Sequence, residues 1–350
     1  MPELRKDPIT QEWVVIATER GRRPSDYTHL TISEPDKPDY SPTCPFCPGK
    51  EDMTPREVLA FRQGREPNVP DWWVRVVPNK FPALAIEGEL EKRGIGMYDL
   101  MNGVGAHEVI IETPKHNLDP STITRHQLSE VLWAYRERYI DLRKDCRFKY
   151  ILIFRNHGKV AGASLEHPHS QLIATPMIPI DVLNEMQGAQ RYFQYRDRCI
   201  WCDMVNTELE HSIRVVNETE HFVAFEPFAS KYPFETWLLP KRHQASFSAM
   251  TRERVVEFAE ILQDALERIS RCLNGPPYNF AIHTAPCDNE ESETFHWHMV
   301  IMPRLTIAAG FEMGTGIYIN VTSPEDAARY LREAVVTEPA VIPEKLEVSA

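Results

Sequence analysis

The order of a few residue types repeats along this chain, and that repetition restricts the fold more than any other feature of the sequence. The first half reads Cys44-Pro-Phe-Cys47, then Pro114-Lys115-His116 behind a β-rich run, then a long helical pattern, an apolar strand and His167-Pro168-His169. The second half reads Cys199-Ile-Trp-Cys202, then Pro240-Lys-Arg-His243 behind a β-rich run, another long helical pattern and His296-Trp-His298. Two tandem copies of one supersecondary unit account for this order, and the alternation of strands with helices gives an α+β fold class.

The periodicities place the elements. From about Thr124 to Asp145, the residues Leu128, Val131, Leu132, Tyr135 and Leu142 recur at helical spacing, with Thr124 as the N-cap. A second amphipathic helix is predicted from about Thr251 to Leu273, with Val255, Phe258, Leu262, Ala265, Leu266 and Ile269 on its apolar stripe. Strands are expected at Glu108–Thr113, Tyr150–Phe154, Thr236–Leu239 and His298–Ile301. The region after Thr175 opens with two prolines and then turns helical, so the expected division is 1–178, a linker helix over 179–197, 198–338 and a tail at 339–350. The 350-residue length suits two domains of roughly 150 residues. The Pro-rich stretch from Glu34 to Pro48 reads as loop.

Charge and hydropathy remove several function classes. A net charge of −12 argues against a broad nucleic-acid-binding face. No run of about 18 apolar residues is present and the N-terminus carries no apolar signal core, so neither a membrane span nor secretion is expected and the cytoplasm is the expected compartment. Of seven cysteines, four fall in the two Cys-x-x-Cys pairs, while Cys146, Cys272 and Cys287 are scattered and read as buried apolar residues. In a reducing compartment such pairs favour metal ligation or redox chemistry over disulfides.

Zinc takes four tetrahedral ligands from thiolates and imidazoles, and a Cys-x-x-Cys turn supplies two of them. The repeat supplies the histidines: one zinc is expected on Cys44, Cys47, His116 and His167, and a second on Cys199, Cys202, His243 and His296. Both sites would be closed and structural. The competing readings are a thioredoxin-like redox pair, which should precede a helix in a βαβ setting, and a zinc-ribbon nucleic-acid module, which the acidic charge disfavours.

The catalytic expectation rests on the segment from Gly158 to Ile173, which is rich in small residues, follows a strand and ends in an apolar run. Small residues let backbone N–H groups approach a phosphate. Neutral imidazole is a nucleophile near pH 7, which suits His169 to phosphoryl or nucleotidyl transfer, with its second ring nitrogen donating to a backbone carbonyl. Gln171, two residues on and on the same strand face, is placed to donate to a non-bridging phosphate oxygen. Asn156 and Ser164 are further donors. The second copy has no glutamine at the matching position and no Gly-rich approach, so one covalent site per chain is expected.

Taken together, Arg20-Gly-Arg-Arg-Pro24, Cys44-x-x-Cys47, Pro78-Asn-Lys-Phe-Pro82, His116, Phe154 with Asn156, His167-Pro-His169-Ser-Gln171, Pro233-Phe-Glu235 and Gly310-Phe-Glu312 resemble the galactose-1-phosphate uridylyltransferase family of the histidine-triad superfamily. The resemblance covers nearly the whole chain. It implies two tandem histidine-triad-like halves, each an antiparallel-rich sheet with a packed long helix. It implies ping-pong exchange of UDP-glucose with galactose 1-phosphate through a uridylyl group on His169, assisted by Gln171. By the same resemblance Arg20, Arg23, Asn79, Phe81, Asn156 and Ser164 bind nucleotide, and Phe311 and Glu312 contact the sugar phosphate of a partner in a homodimer. Some family members carry iron on residues matching Glu185, His283, His296 and His298; the Cys199/Cys202 pair favours zinc here, leaving His283 and His298 as hydrogen-bonding groups. Before Gly310 the chain reads Leu305-Thr-Ile-Ala-Ala309, without the family's phosphate-binding lysine, and Gly314–Asn320 resembles a branch of phosphorylases acting on ADP-glucose. The alternatives are therefore an ADP-glucose phosphorylase or adenylyltransferase with the same covalent histidine, and a nucleotide sensor or scaffold without turnover.

Overall fold

The computed structural model describes residues 1–17, 19, 21, 23–30 and 37–334. Arg20 and the 339–350 tail lie outside the described residues. The strands are β1 (Glu3–Lys6), β2 (Trp13–Ile16), β3 (Leu59–Arg62), β4 (Trp72–Pro78), β5 (Arg93–Ile95), β6 (Tyr98–Leu100), β7 (Ala106–Ile111), β8 (Tyr150–His157), β9 (His169–Thr175), β10 (Val215–Glu218), β11 (Phe222–Phe225), β12 (Thr236–Pro240), β13 (Tyr278–His283), β14 (His298–Pro303) and β15 (Tyr318–Asn320). The α-helices are α1 (Arg125–Leu142), α2 (Ile180–Arg196), α3 (Ile200–His211), α4 (Arg252–Leu273), α5 (Gly310–Thr315) and α6 (Pro324–Glu333).

Thr124 caps α1 by accepting from the backbone N–H of Gln127, and Thr251 caps α4 in the same way through Arg254, so both helices start where the sequence signals a cap. Asn274, in the left-handed conformation, ends α4. The connecting region is helical, as its composition suggests, with Pro179 preceding α2 and Asp197 ending it in the left-handed region.

Ten strands form one continuous sheet in the order β10-β11-β12-β14-β13-β8-β9-β7-β4-β3. Its two five-strand halves, β3-β4-β7-β9-β8 and β10-β11-β12-β14-β13, mirror the repeated sequence order and are joined by antiparallel pairing of β8 with β13. All the pairings within this sheet are antiparallel. One face is covered by α1 and α4, which pack on each other over Leu172, Ala174, Ile110, Met299 and Ile301. On the other face, α2 and α3 cover the second half through Val182, Ile200, Trp201 and Val205. Among the described residues, the Cys44–Cys47 loop covers the first half there, packed on Trp72, Val109 and Ile111 with Leu165 beside it. The same face of the second half keeps a cavity, of about 270 Å³, lined by Glu185, Trp237, His283 and Val300. Among the described residues, no helix is long and apolar enough to cross a membrane. The three scattered cysteines are not buried as expected: Cys146 is exposed, and Cys272 and Cys287 are partly exposed.

Candidate active site and metal centres

The strand carrying the nucleophile candidate begins at His169, not at His167 as a strand-like His-Pro-His would require. Pro168 has no N–H to give to a ladder, so the chain enters β9 only after it, and the two imidazoles are separated. His167 turns its Nδ1 to Cys47 Sγ at 3.6 Å and its Nε2 to the Thr113 carbonyl at 2.8 Å. His169 directs Nδ1 to the His167 carbonyl at 2.7 Å. A backbone carbonyl only accepts, so Nδ1 carries the proton and Nε2 holds the lone pair. Burial lowers the His169 pKa, its bond to the His167 carbonyl works the other way, and the Arg155 guanidinium adds to the lowering, which favours the neutral, nucleophilic ring.

Beside His169 lies a cavity of about 330 Å³ lined by Asn156, His157, Gly158, Ser164 and His167, with Lys37 and Lys159 as cationic groups, Glu166 as a carboxylate and Arg155 already paired with Glu112. An anion is the ligand such a lining suits. Asn156 is held from across the β8–β13 seam by Asn279, whose Nδ2 donates to its Oδ1 at 2.8 Å. Gln171 follows His169 on the same face of β9, with its Oε1 2.8 Å from His107 Nε2. The structure therefore groups His169, Asn156 and Ser164 around the cavity, with Gln171 two residues along β9 and outside its lining. Arg23 is solvent-exposed, Phe81 is 83% exposed, and Phe311 and Glu312 sit on α5; none of these lines the cavity, and Asn79 reaches the site only through His107.

Beneath the strand, the alternation of β9 turns Ser170 toward α1. Its hydroxyl and that of Tyr135 meet Glu112 Oε1, and Arg155 Nε donates to both carboxylate oxygens at 3.1 Å. Neither this buried platform nor His107 was expected from the sequence. A lone histidine or an Arg/Glu pair within apolar strands has no local signature; only the period-two placement of His107 and Val109 against Ile173 and Gln171 marks them as sharing a face.

The four expected ligands of each metal set are brought together. Ligand atoms of Cys44, Cys47, His116 and His167 all lie within 4.8 Å of one another, as do those of Cys199, Cys202, His243 and His296. Tetrahedral zinc, with bonds of about 2.3 Å to sulfur and about 2.0 Å to nitrogen, requires S···N edges of about 3.5 Å. Cys47 Sγ lies 3.6 Å from Nδ1 of both His116 and His167, and Cys202 Sγ lies 3.6 Å from Nδ1 of both His243 and His296. The outward Nε2 atoms of His167, His243 and His296 meet the carbonyls of Thr113, Ser292 and Pro240, the outer-shell bonds that orient a ligating ring. Burial pushes the Cys44 thiol up to about 11, so a thiolate there needs a neighbouring cation. The residues fit a metal ion at both sets. The second Cys pair opens α3, as a redox pair would, but no βαβ unit surrounds it and two imidazoles face it instead.

A third group gathers beside the second set. Glu185 from α2 accepts from His283 Nδ1 at 2.9 Å and lies 3.8 Å from His298 Nε2. His298 occupies the place of His169 and repeats its bond, Nδ1 to the His296 carbonyl at 3.0 Å. Trp237 stacks on its ring at 5.1 Å and Trp201 lies at 5.8 Å, so aromatic rings pack against His298. Val300 stands where the first half has Gln171.

The family signature described as galactose-1-phosphate uridyl transferase, N-terminal domain, matches residues 1–179, and a domain of unknown function matches residues 98–345. The chain is 37% identical over 341 residues to the ADP-glucose phosphorylase of Arabidopsis thaliana, covering 96% of this chain and 94% of that protein. It is 30% identical over 344 residues to the galactose-1-phosphate uridylyltransferase of Thermotoga maritima, covering 96% and 99%. The crystal structure of the Arabidopsis thaliana ADP-glucose phosphorylase with bound ADP-glucose superposes with a TM-score of 0.79 at 34% identity, over 96% of this chain and 100% of that one. With half of its length matched by the family signature and full-length relatives at this identity, the chain belongs to the galactose-1-phosphate uridylyltransferase family.

Proposed function

We propose that this protein is a nucleotidyltransferase that moves a nucleoside monophosphate between phosphorylated sugars through a covalent adduct on His169, as a UDP-glucose–hexose-1-phosphate uridylyltransferase. The observation that carries the reading is the His169 ring, held with Nδ1 on the His167 carbonyl and Nε2 free to attack beside a cationic cavity. In the first step Nε2 bonds to the α-phosphorus of the nucleotide sugar while the bond from that phosphorus to the leaving sugar phosphate breaks. The Nδ1–H bond to the carbonyl steadies the positive charge that develops on the ring. In the second step a phosphate oxygen of the acceptor attacks phosphorus, the P–N bond breaks and the neutral histidine returns. Gln171 donates to a non-bridging oxygen in both steps, and Asn156 and Ser164 hold the nucleotide. Zinc at the two Cys/His sets supplies cross-links that fix the loops around the site and no chemistry of its own.

The two halves, 1–178 and 198–338, divide this labour: the first holds the nucleophile, the second its scaffold and a second structural ion. Arg23, Phe81, Phe311 and Glu312 serve a cytoplasmic homodimer in this reading, in which one chain's α5 completes its partner's site. A second reading, ADP-glucose phosphorylase, keeps the same histidine and differs in base and acceptor. It is favoured by the 37% identity to the Arabidopsis enzyme and by the absence of a lysine in Leu305–Ala309.

Intact-protein mass spectrometry after incubation with UDP-glucose or ADP-glucose, on wild type and His169→Asn, tests both. A uridylyl adduct confined to wild type supports the first reading, and an adenylyl adduct confined to wild type supports the second. An adduct retained by His169→Asn refutes the nucleophile, and no adduct on wild type leaves a nucleotide-binding protein without turnover.

A further inference from the structure

We propose that His107 is a positioning residue for the transfer step: it locks the side-chain amide of Gln171 so that the NH2 end, and not the carbonyl, faces the migrating phosphoryl group. The inference rests on the reading of His169 and Gln171 given above and concerns a residue with no role in it. His107 lies on β7, which pairs directly with β9, and its ring is bonded at both nitrogens. The backbone N–H of Ala83 donates to Nδ1 at 3.1 Å. A backbone N–H can only donate, so Nδ1 is the acceptor, the ring is neutral and its proton sits on Nε2. Nε2 is 2.8 Å from Gln171 Oε1, so the glutamine carbonyl accepts there and its NH2 is turned away from His107. The assignment of the amide thus follows from a main-chain donor, two bonds removed.

Asn79 Oδ1 accepts from the Phe81 N–H at 2.9 Å, which turns its Nδ2 to His107 Nε2 at 3.1 Å; with Nε2 protonated this is a donor facing a donor and no hydrogen bond, so Gln171 Oε1 serves as the acceptor in that corner. A half-exposed glutamine on a strand otherwise samples both amide orientations, and the wrong one presents a carbonyl oxygen to phosphate oxygens. Because the donor is needed as charge grows on phosphorus, the lock should act on the rate of transfer and leave the affinity for nucleotide sugar almost unchanged.

The test is single-turnover formation of the nucleotidyl-enzyme with UDP-glucose and with ADP-glucose, on wild type, His107→Leu, Gln171→Ala and the double variant. Gln171→Ala should slow adduct formation by about 10²-fold, as loss of one transition-state donor does. His107→Leu should slow it by about fivefold to tenfold, the ratio one net hydrogen bond is worth, with the half-saturating nucleotide-sugar concentration changed less than about twofold. In the Gln171→Ala background His107→Leu should add nothing, and His107→Gln, which keeps an N–H near the Nε2 position, should recover most of the rate. A wild-type rate for His107→Leu, or an equal slowing by His107→Leu with and without Gln171, overturns the inference while leaving the covalent reading intact. A wild-type rate for Gln171→Ala overturns the role of Gln171, and no adduct on wild type with either nucleotide sugar overturns the transfer reading; the inference falls with either. Should His107→Leu lose its fold by circular dichroism, His107→Asn, which keeps an amide only at the Nδ1 end, replaces it in the same cycle.

Discussion

Replacing Arg155 with methionine removes the charged partner of a fully buried carboxylate and keeps most of the side-chain volume. The Glu112 side chain is 0% exposed and that of Arg155 is 3% exposed. Arg155 Nε donates at 3.1 Å to both oxygens of Glu112, and its Nη1 meets the Tyr278 hydroxyl at 3.3 Å across the β8–β13 seam. In Arg155→Met the Ser170 and Tyr135 hydroxyls still reach Oε1, while Oε2 loses its donor and the charge is left uncompensated. Breaking one side of a buried pair in this way costs about 3–5 kcal/mol. Glu112→Gln in the same chain removes the orphaned charge, so the double variant should regain about 2 kcal/mol or more of that loss. Urea denaturation followed by tryptophan fluorescence, extrapolated linearly to water, measures both. A cost below about 1 kcal/mol for Arg155→Met, or a double variant as unstable as the sum of the two single ones, would refute the account of this pair as a mutually dependent buried unit.

Metal analysis by mass spectrometry should find about two zinc ions per chain, with Cys44→Ser and Cys199→Ser each losing one and retaining the other; zinc-free, fully folded wild type would reject both sites. Gly188→Ala should lower stability by about 1–3 kcal/mol, since a Cβ there would stand 1.9 Å from the Ile9 carbonyl oxygen and force α2 away from the N-terminal segment. An unchanged melting temperature would show that this close approach is not needed.

Much of the architecture could be read from sequence because it is encoded locally. Thr124 and Thr251 announce their helices through cap chemistry, and the apolar stripe of α4 carries it to Leu273. The metal sets were legible because the same four residue types recur in the same order, so each copy explains the other. The merging of two halves into one sheet was not legible: the β8–β13 register depends on pairs such as Phe154 with Ala281, which no local pattern encodes. The short strands β1, β2, β10 and β11 were missed for a different reason: each has four residues, too few to display an alternation, and β1 reads Glu-Leu-Arg-Lys, with one apolar residue. His169 and Gln171 stand out in the sequence by their motif, and the structure puts them on one face of β9. His107, Glu112 and Arg155 do not stand out, because their contacts exist only once β7, β8 and β9 lie side by side.

The seam between β8 and β13 also gives the order of synthesis a physical meaning. β8 ends at His157, and its outer partner β13 begins only at Tyr278, about 120 residues later. At a translation rate of about 5–20 residues per second, the outer edge of β8 waits roughly 6 to 24 s for cover. That edge is Tyr-Ile-Leu-Ile-Phe, an apolar strand whose unpaired amides form a template for any second copy emerging nearby. A chain cut short between 176 and 277 would therefore not yield a quiet half-enzyme; it would carry the complete nucleophile motif on a sheet whose open side recruits its own kind.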